Sequence, residues 1–342
     1  MDFDSFVNLI FKDVTEDLSN RGMHVELDVY DMNKLQGSYT GIVARIEGTP
    51  VRPVINLDAK YAQYQKTGDY FGTCKEVTEM MLSEIENSPQ VDMEALSIYE
   101  KMKTKLIMAL VPTKKNHELL EKMPHMEIED MSVIYQFKVS VGAHMGTITI
   151  TNDLMERYGI TDVQLHEDAV ANASFYGPVV IRSLAEVLGA NLPFGMSMEE
   201  CPLWMATNIS SDHGAGVLAY PDFFERAQEK VGTNFYVLPS SIHELLLVPD
   251  DGNLLTEDLK AMVEHVNRTA VDEKDWLSDN VYHYSGDEKI FERAENYDRR
   301  IAEKSTDAFL KGKLMQELTK NKESIKAQEP AAAKTKRGNQ ER

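Results

Sequence analysis

A chain of 342 residues, 42% hydrophobic and 27% charged, has a globular composition and enough length to bury a sizeable core, which excludes a wholly disordered protein. The formal net charge is −20, unevenly spread: from Lys311 to Arg342 nine Lys or Arg stand against four Glu, so the preceding 310 residues carry −25. A body that negative repels phosphate backbones and argues against nucleic-acid binding by the folded part.

No apolar run reaches the ~20 residues of a bilayer-crossing helix, so no membrane is expected. The start MDFDSFVNLIFKDV lacks the basic opening and small-residue cleavage site of a signal peptide, which gives a cytoplasmic expectation. The two cysteines, Cys74 and Cys201, have no CxxC spacing and cannot alone supply a four-thiolate zinc site; they read as reduced, partly buried thiols.

In chain order, Phe3, Phe6, Val7, Ile10, Phe11, Val14 and Leu18 recur at helical spacing, with Asp4 or Ser5 placed to cap. His24 to Tyr30 and Tyr39 to Ile46 alternate as strands, joined through Asn33 and Gly37. Val51 to Leu57 continues them as an edge or a bend, because of Pro50 and Pro53. Helices are expected from Lys60 to Lys66, from Thr73 to Glu86, and from Met93 to Leu110, the last ended by Val111-Pro112. Met80, Met81 and Met102 sit at core spacing in them.

Between Met131 and Val266 a pattern occurs three times: two strand-like runs around a short turn, then a helix. The first is Val133 to Val141, a turn at 142–146, Thr147 to Thr151 and a helix Asp153 to Tyr158. The second is Leu203 to Thr207, a turn at 209–214, Ala215 to Tyr220 and a helix Asp222 to Val231. The third is Phe235 to Leu238, Pro239-Ser240-Ser241, Ile242 to Val248 and a helix from Thr256, as cap, to Val266. Strands so close in sequence pair antiparallel, since a parallel pair needs a long crossover. Two further helices are expected at 161–174 and 177–189.

Trp276, Leu277, Val281, Tyr282 and Tyr284 give the 275–284 segment enough apolar surface to dock on the core. Residues 287–327 read as one or two polar helices with a weak apolar stripe, and 329–342 as a disordered tail. The fold class is α+β: antiparallel strand pairs each followed by a helix, in repeated ββα-like units, with helical N- and C-terminal segments. The chain divides into 1–110 (helix, strands and helices), a ββα-rich core at 111–285, a polar helical arm at 286–328 and the tail.

YVLPSSIHELLLVPD (236–250), GTITITN (146–152) and MVEHVN with LSDNVYHY (262–267, 277–284), together with ATN (206–208), GAGVLAYP (214–221) and AVANA (169–173), resemble an uncharacterised bacterial family, a domain of unknown function seen mainly in gut Firmicutes. The resemblance implies a fold and a bacterial source, and no activity.

Three constellations could carry chemistry. Ser240-Ser241-Ile242-His243-Glu244 sets hydroxyls near an imidazole and a carboxylate, the components of a nucleophile and its base; the same residues also make an ordinary turn. His144, His213 and His243 each fall in one of the three turns and are the metal candidates should the hairpins lie side by side, with Asp212 or Glu244 completing the shell. No His-x-His or HExxH spacing demands a metal, so none is assigned. Thr151-Asn152, Thr207-Asn208, Asn56 and Asp58 read as caps and strand ends. Asp250-Asp251-Gly252-Asn253 lacks the further ligands of a calcium loop and reads as a turn. Phosphate-binding glycine loops are missing, so no cofactor is implied; Gly214 and Gly216 signal close backbone packing. The function these features leave is a non-catalytic cytosolic interaction or binding protein with an unidentified protein partner. The alternative is a hydrolase using the Ser240–Glu244 segment.

Overall fold

The computed structural model describes residues 1–35, 37–47, 52–87, 93–141, 144–189, 202–239 and 241–328. The chain is α+β, and all of its strand pairs are antiparallel.

Helix α1 (Phe3–Asn20) packs on a three-stranded sheet, β1 (Glu26–Lys34), β2 (Gly37–Arg45) and β3 (Val54–Asn56), in that order, which leaves β3 at the edge its prolines suggest. Phe6, Ile10, Val14 and Leu18, one residue per turn, are at most 1% exposed. At about 1.5–3 kcal/mol each this stripe outweighs the ~1 kcal/mol of an N-cap. The cap is Asp2, not Asp4 or Ser5: its carboxylate accepts from the Ser5 N–H at 2.8 Å. Helices α2 (Leu57–Thr67, capped by Asn56) and α3 (Tyr70–Glu86) complete this core with Leu57, Val77 and Met81. Met80 is 39% exposed and Cys74 half-buried; Cys201 lies outside the described residues.

The expected long helix from Met93 to Leu110 is instead two single turns, α4 (Met93–Leu96) and α5 (Tyr99–Met102), then a strand, β4 (Leu106–Pro112). LIMALVP is apolar throughout because β4 is covered on both faces, and such a run has no period of its own. After α6 (His117–Leu120), strands β5 (His125–Ile128), β6 (Met131–Val141) and β7 (His144–Thr149) join β4: β6 pairs β4 along one side, and β5 and β7 in succession along the other. β7 begins at His144, inside the stretch expected to turn; residues 142–143 lie outside the described residues. Helices α7 (Asn152–Tyr158) and α8 (Asp162–Tyr176) follow, capped by Thr151 and Thr161. Asn152 does not cap; its amide donates to the Glu121 carbonyl.

A six-stranded sheet, ordered β13-β12-β10-β11-β9-β8, forms the rest. Its members are β8 (Val179–Ser183), β9 (Trp204–Asn208), β10 (Asn234–Leu238), β11 (Leu245–Pro249), β12 (Tyr282–Ser285) and β13 (Ile290–Arg293). The segment expected as a helix at 177–189 is mostly β8, followed by one helical turn, α9 (Leu184–Leu188). The expected strand Ala215 to Tyr220 is a 3₁₀ helix, Gly214–Ala219, so the second unit is not a hairpin. Every residue from Gly214 to Leu218 is buried, and burial on all sides removes the alternation that separates strand from helix. The third unit is a hairpin, β10 against β11, followed after a loop by α11 (Thr256–Thr269); α10 (Phe223–Val231) precedes it. Thr256 is not the cap but the first helical residue, and it is buried. Asp250 and Asp251 accept from Gly252 N–H and Asn253 N–H, so this acidic segment is a pair of side-chain-to-backbone turns.

The chain continues as one 35-residue helix, α12 (Ala294–Gln328). His283 anchors it to the sheet: fully buried, its ring stacks on Tyr297 at 3.5 Å, meets Tyr236 edge-on at 5.0 Å, and sets Nε2 3.0 Å from Asp250 Oδ2. Further along, Phe309, Leu310, Leu314 and Leu318 are exposed. No helix among the described residues is long and apolar enough to cross a membrane.

Two outcomes follow. A Cβ at Gly216 would stand 2.3 Å from the Met108 carbonyl oxygen, so Gly216→Ala should cost about 1–3 kcal/mol, read as a lower denaturation midpoint at unchanged m-value. Burial pushes the His283 pKa below its ordinary value, with Asp250 opposing the shift. The unfolded chain protonates this ring near pH ~6.5 and the folded chain only at lower pH, so its stabilising share is complete above ~6.5 and drains away as pH falls towards the folded pKa. Denaturant titrations between pH 7 and 5 should show a shallower loss of stability in His283→Gln than in the wild type; identical slopes would contradict this.

Candidate functional site

Strand β9 ends at Asn208, whose side chain folds the loop after it: Oδ1 accepts from Ser210 N–H at 3.0 Å and Ser210 Oγ at 2.9 Å, and Nδ2 donates to the Asp212 carbonyl. The loop reverses through Ser211 (φ 53°) and His213 (φ 50°), left-handed conformations that cost non-glycine residues strain. Gly214 then lies against Thr207 Oγ1 and the His243 carbonyl, where a Cβ would be 1.9 and 2.2 Å away. The pair of glycines does mark close backbone packing.

This reversal brings His213 and His243 together, with ring centroids 5.9 Å apart. His243 is tied on every side. Its N–H donates to Ser241 Oγ, its carbonyl accepts from Thr207 Oγ1, its Nδ1 accepts from the His213 N–H at 3.3 Å, and its Nε2 lies 3.5 Å from Asp275 Oδ1. His213 Nδ1 pairs with Asp212 Oδ1 at 2.9 Å. Ser241 Oγ donates to Glu244 Oε1 at 2.9 Å, which joins Ser241, His243 and Glu244 as a hydrogen-bonded turn. Ser240 and the side chain of His144 lie outside the described residues. Among the described residues no group of three or more His, Cys, Asp or Glu is arranged to hold a metal ion.

Asp212 is shared with a cavity of about 270 Å³. Its walls come from β4 (Leu106 to Met108), Lys138 on β6, Asn172 on α8, Gly177, the Asn208–Asp212 loop and Tyr220. Lys138 Nζ reaches Ser210 Oγ at 3.3 Å and Asp212 Oδ2 at 3.8 Å. Asn172 donates to the backbone carbonyls of Lys103 and Leu106, which fixes its amide. Tyr220 is 7% exposed, burial pushes its hydroxyl pKa up to about 12, and that hydroxyl makes no hydrogen bond among the described residues. A buried phenol normally has a partner. This one lines the same cavity as Lys138, with its donor free.

Sequence reasoning placed His213, His243 and Asp212 near one another but missed Lys138, Asn172 and Tyr220. Lys138 carried the one available signal, a charge in an otherwise apolar strand; Asn172 and Tyr220 enter through tertiary packing alone.

An α+β protein with a small cavity, apolar-backed and edged by a few polar groups, beside a braced pair of histidines is the class this geometry defines. The chain belongs to a family of unknown function (DUF5688), whose model matches residues 3–286, so the resemblance drawn from its motifs leads to an uncharacterised family. No curated protein and no solved structure matches it.

Since Nδ1 of His243 accepts a backbone hydrogen bond, its neutral ring should carry the proton on Nε2, facing Asp275. Long-range ¹H–¹⁵N correlation spectra should show the bare-nitrogen shift at Nδ1; a bare Nε2 would contradict the arrangement.

Proposed function

We propose that the protein is a binding protein whose cavity under the Asn208–His213 loop takes a small polar molecule bearing one negative charge. The observation that carries this reading is the Tyr220 hydroxyl, without a hydrogen bond among the described residues, on the wall of a cavity that Lys138 also lines. Lys105 and Lys138 against Asp212 leave the wall with one net positive charge, while the Asn172 and Asn208 side chains are locked by backbone bonds and lose little freedom on binding. Apolar backing from Leu106, Ile107, Met108, Ala169 and Ala173 with a few convergent polar groups is the usual make-up of a small-ligand site.

Two other readings have supporting contacts. A protein partner fits the exposed Phe309, Leu310, Leu314 and Leu318 of α12, with Phe309 71% exposed. A hydrolase using His243 gains Asp275 at 3.5 Å, but Ser241 Oγ already donates to Glu244, which leaves binding as the favoured reading.

A thermal-shift panel of small carboxylates and phosphates tests the cavity. At least one member should raise the melting temperature in a concentration-dependent way. Tyr220→Phe, which deletes only the donor, should weaken that ligand by about tenfold, the worth of one hydrogen bond to a charged group, and Lys138→Met by more. A panel with no stabilising member, or a shift that survives both substitutions, would sink the proposal.

A further inference from the structure

A second cavity, of about 810 Å³, lies between the start of α6, the β5–β6 turn, β13 and the segment before β12. One wall is Trp276, whose indole N–H donates to Asp279 Oδ1 at 3.0 Å, so the ring is held at its edge. Lys115 Nζ sits over the ring at 5.9 Å, and Lys114 adds a second ammonium with no ion pair or hydrogen bond among the described residues. These cations cluster on a chain of net charge −20.

The opposite wall separates groups already in use from groups that are not. The Asp130 carboxylate accepts from Ser278 Oγ at 3.0 Å, Asn280 Nδ2 at 2.8 Å and the Tyr282 hydroxyl. Its neighbour Glu129 makes no hydrogen bond through its carboxylate; it only faces Arg293 Nε at 3.7 Å. That Nε is buried without a hydrogen-bond partner, a costly state for a guanidinium donor. Glu129 also holds φ 58°, a left-handed conformation in a two-residue hairpin turn where glycine is unstrained. Backbone strain and a long Glu129–Arg293 ion pair, with Arg293 Nη2 also 3.6 Å from Asp130 Oδ1, thus converge on one hollow that has an aromatic wall.

We propose that this cavity binds a small anion carrying an aromatic ring, of the nucleoside monophosphate class. The base stacks on Trp276, the phosphate lies among Lys114, Lys115 and Arg293, and Glu129 accepts from the sugar hydroxyls. Indoles stack on every base, and a guanidinium is the group best shaped for phosphate oxygens. Charge elsewhere on the acidic chain is screened beyond ~8–10 Å, and the wall itself, Lys114, Lys115 and Arg293 against Glu129 and Asp130, carries one net positive charge. The site needs no glycine-rich phosphate loop, because side chains supply its donors.

Isothermal titration of the full chain with adenosine 5′-monophosphate tests the assignment. Saturable one-to-one binding is expected, at least tenfold weaker for ribose 5-phosphate and for adenosine, which each lack one half of the contact. Lys114→Glu, at an exposed and unpaired position, and Trp276→Leu should each weaken it at least tenfold, while Lys138→Met in the other cavity leaves it unchanged. Should Trp276→Leu fold poorly, Lys114→Glu alone carries the comparison. Absence of saturable binding, binding untouched by Lys114→Glu, or ribose 5-phosphate binding as tightly as the nucleotide would overturn the proposal.

Discussion

The 3₁₀ helix Gly214–Ala219 is the wedge on which the rest of the structure depends. It packs on β4 through Gly216, at a distance from the Met108 backbone that no side chain permits, and on β9 through Gly214, against Thr207 Oγ1 and the His243 carbonyl. The Ala215 N–H donates to the Ile242 carbonyl, which adds β11's approach loop to the same knot. One buried turn therefore fastens the four-stranded sheet to the six-stranded one. Interiors are packed too densely to absorb an extra methyl at such a contact, so the two glycines fix the distance between the sheets. The residues just before the wedge, Asp212 and His213, and the one that follows it, Tyr220, are the ones that shape the first cavity and its histidine pair.

Where one face of an element meets solvent, its pattern could be read directly. The four buried residues of α1 show its helical period, and the β1–β2 and β10–β11 pairings and the edge position of β3 match what the sequence suggests. Where an element is covered all round, the period vanishes. LIMALVP looked like the end of a helix and is the edge strand β4, buried on both faces; AGVLAY looked like a strand and is mostly a helical turn. In each case length was the only other cue, and burial had erased the polar positions that would have decided between them. Caps slipped for a smaller reason: α1 is capped by Asp2, two positions before Asp4, and α11 begins at Thr256 itself rather than one residue later; a side chain's bond, not its type, defines the cap.

The candidate sites were legible in unequal parts. Histidines set at turns gave the approach of His213 to His243, because loops at one end of a sheet tend to converge. What the sequence alone could not give is the bracing: that Nδ1 of His243 would meet a backbone N–H, and that Asp275, from a segment noted only for its aromatic neighbours, would face Nε2. Tyr220 and Glu129 carry even less local signal. One matters because its hydroxyl has no partner and the other because of its backbone angle, and both are properties of the folded chain.

The histidine pair and the second cavity share the segment from Asp275 to Asn280. Asp275 faces His243, and its carbonyl accepts from the Ile242 N–H at 2.9 Å, on the side of the histidine pair. The next residue, Trp276, lines the second, and Ser278 and Asn280 hold Asp130 there. Asn267 on α11 clamps the middle of the segment through the Ser278 carbonyl and Asp279. Movement of the indole would thus bear on the peptide next to it, whose carbonyl holds the loop carrying Ser241 and His243. Contiguity alone does not make two sites communicate; that needs an element with two arrangements which each ligand favours differently. His213 and Glu129, on the two sides of this segment, both hold the left-handed backbone conformation that non-glycine residues adopt only at a cost.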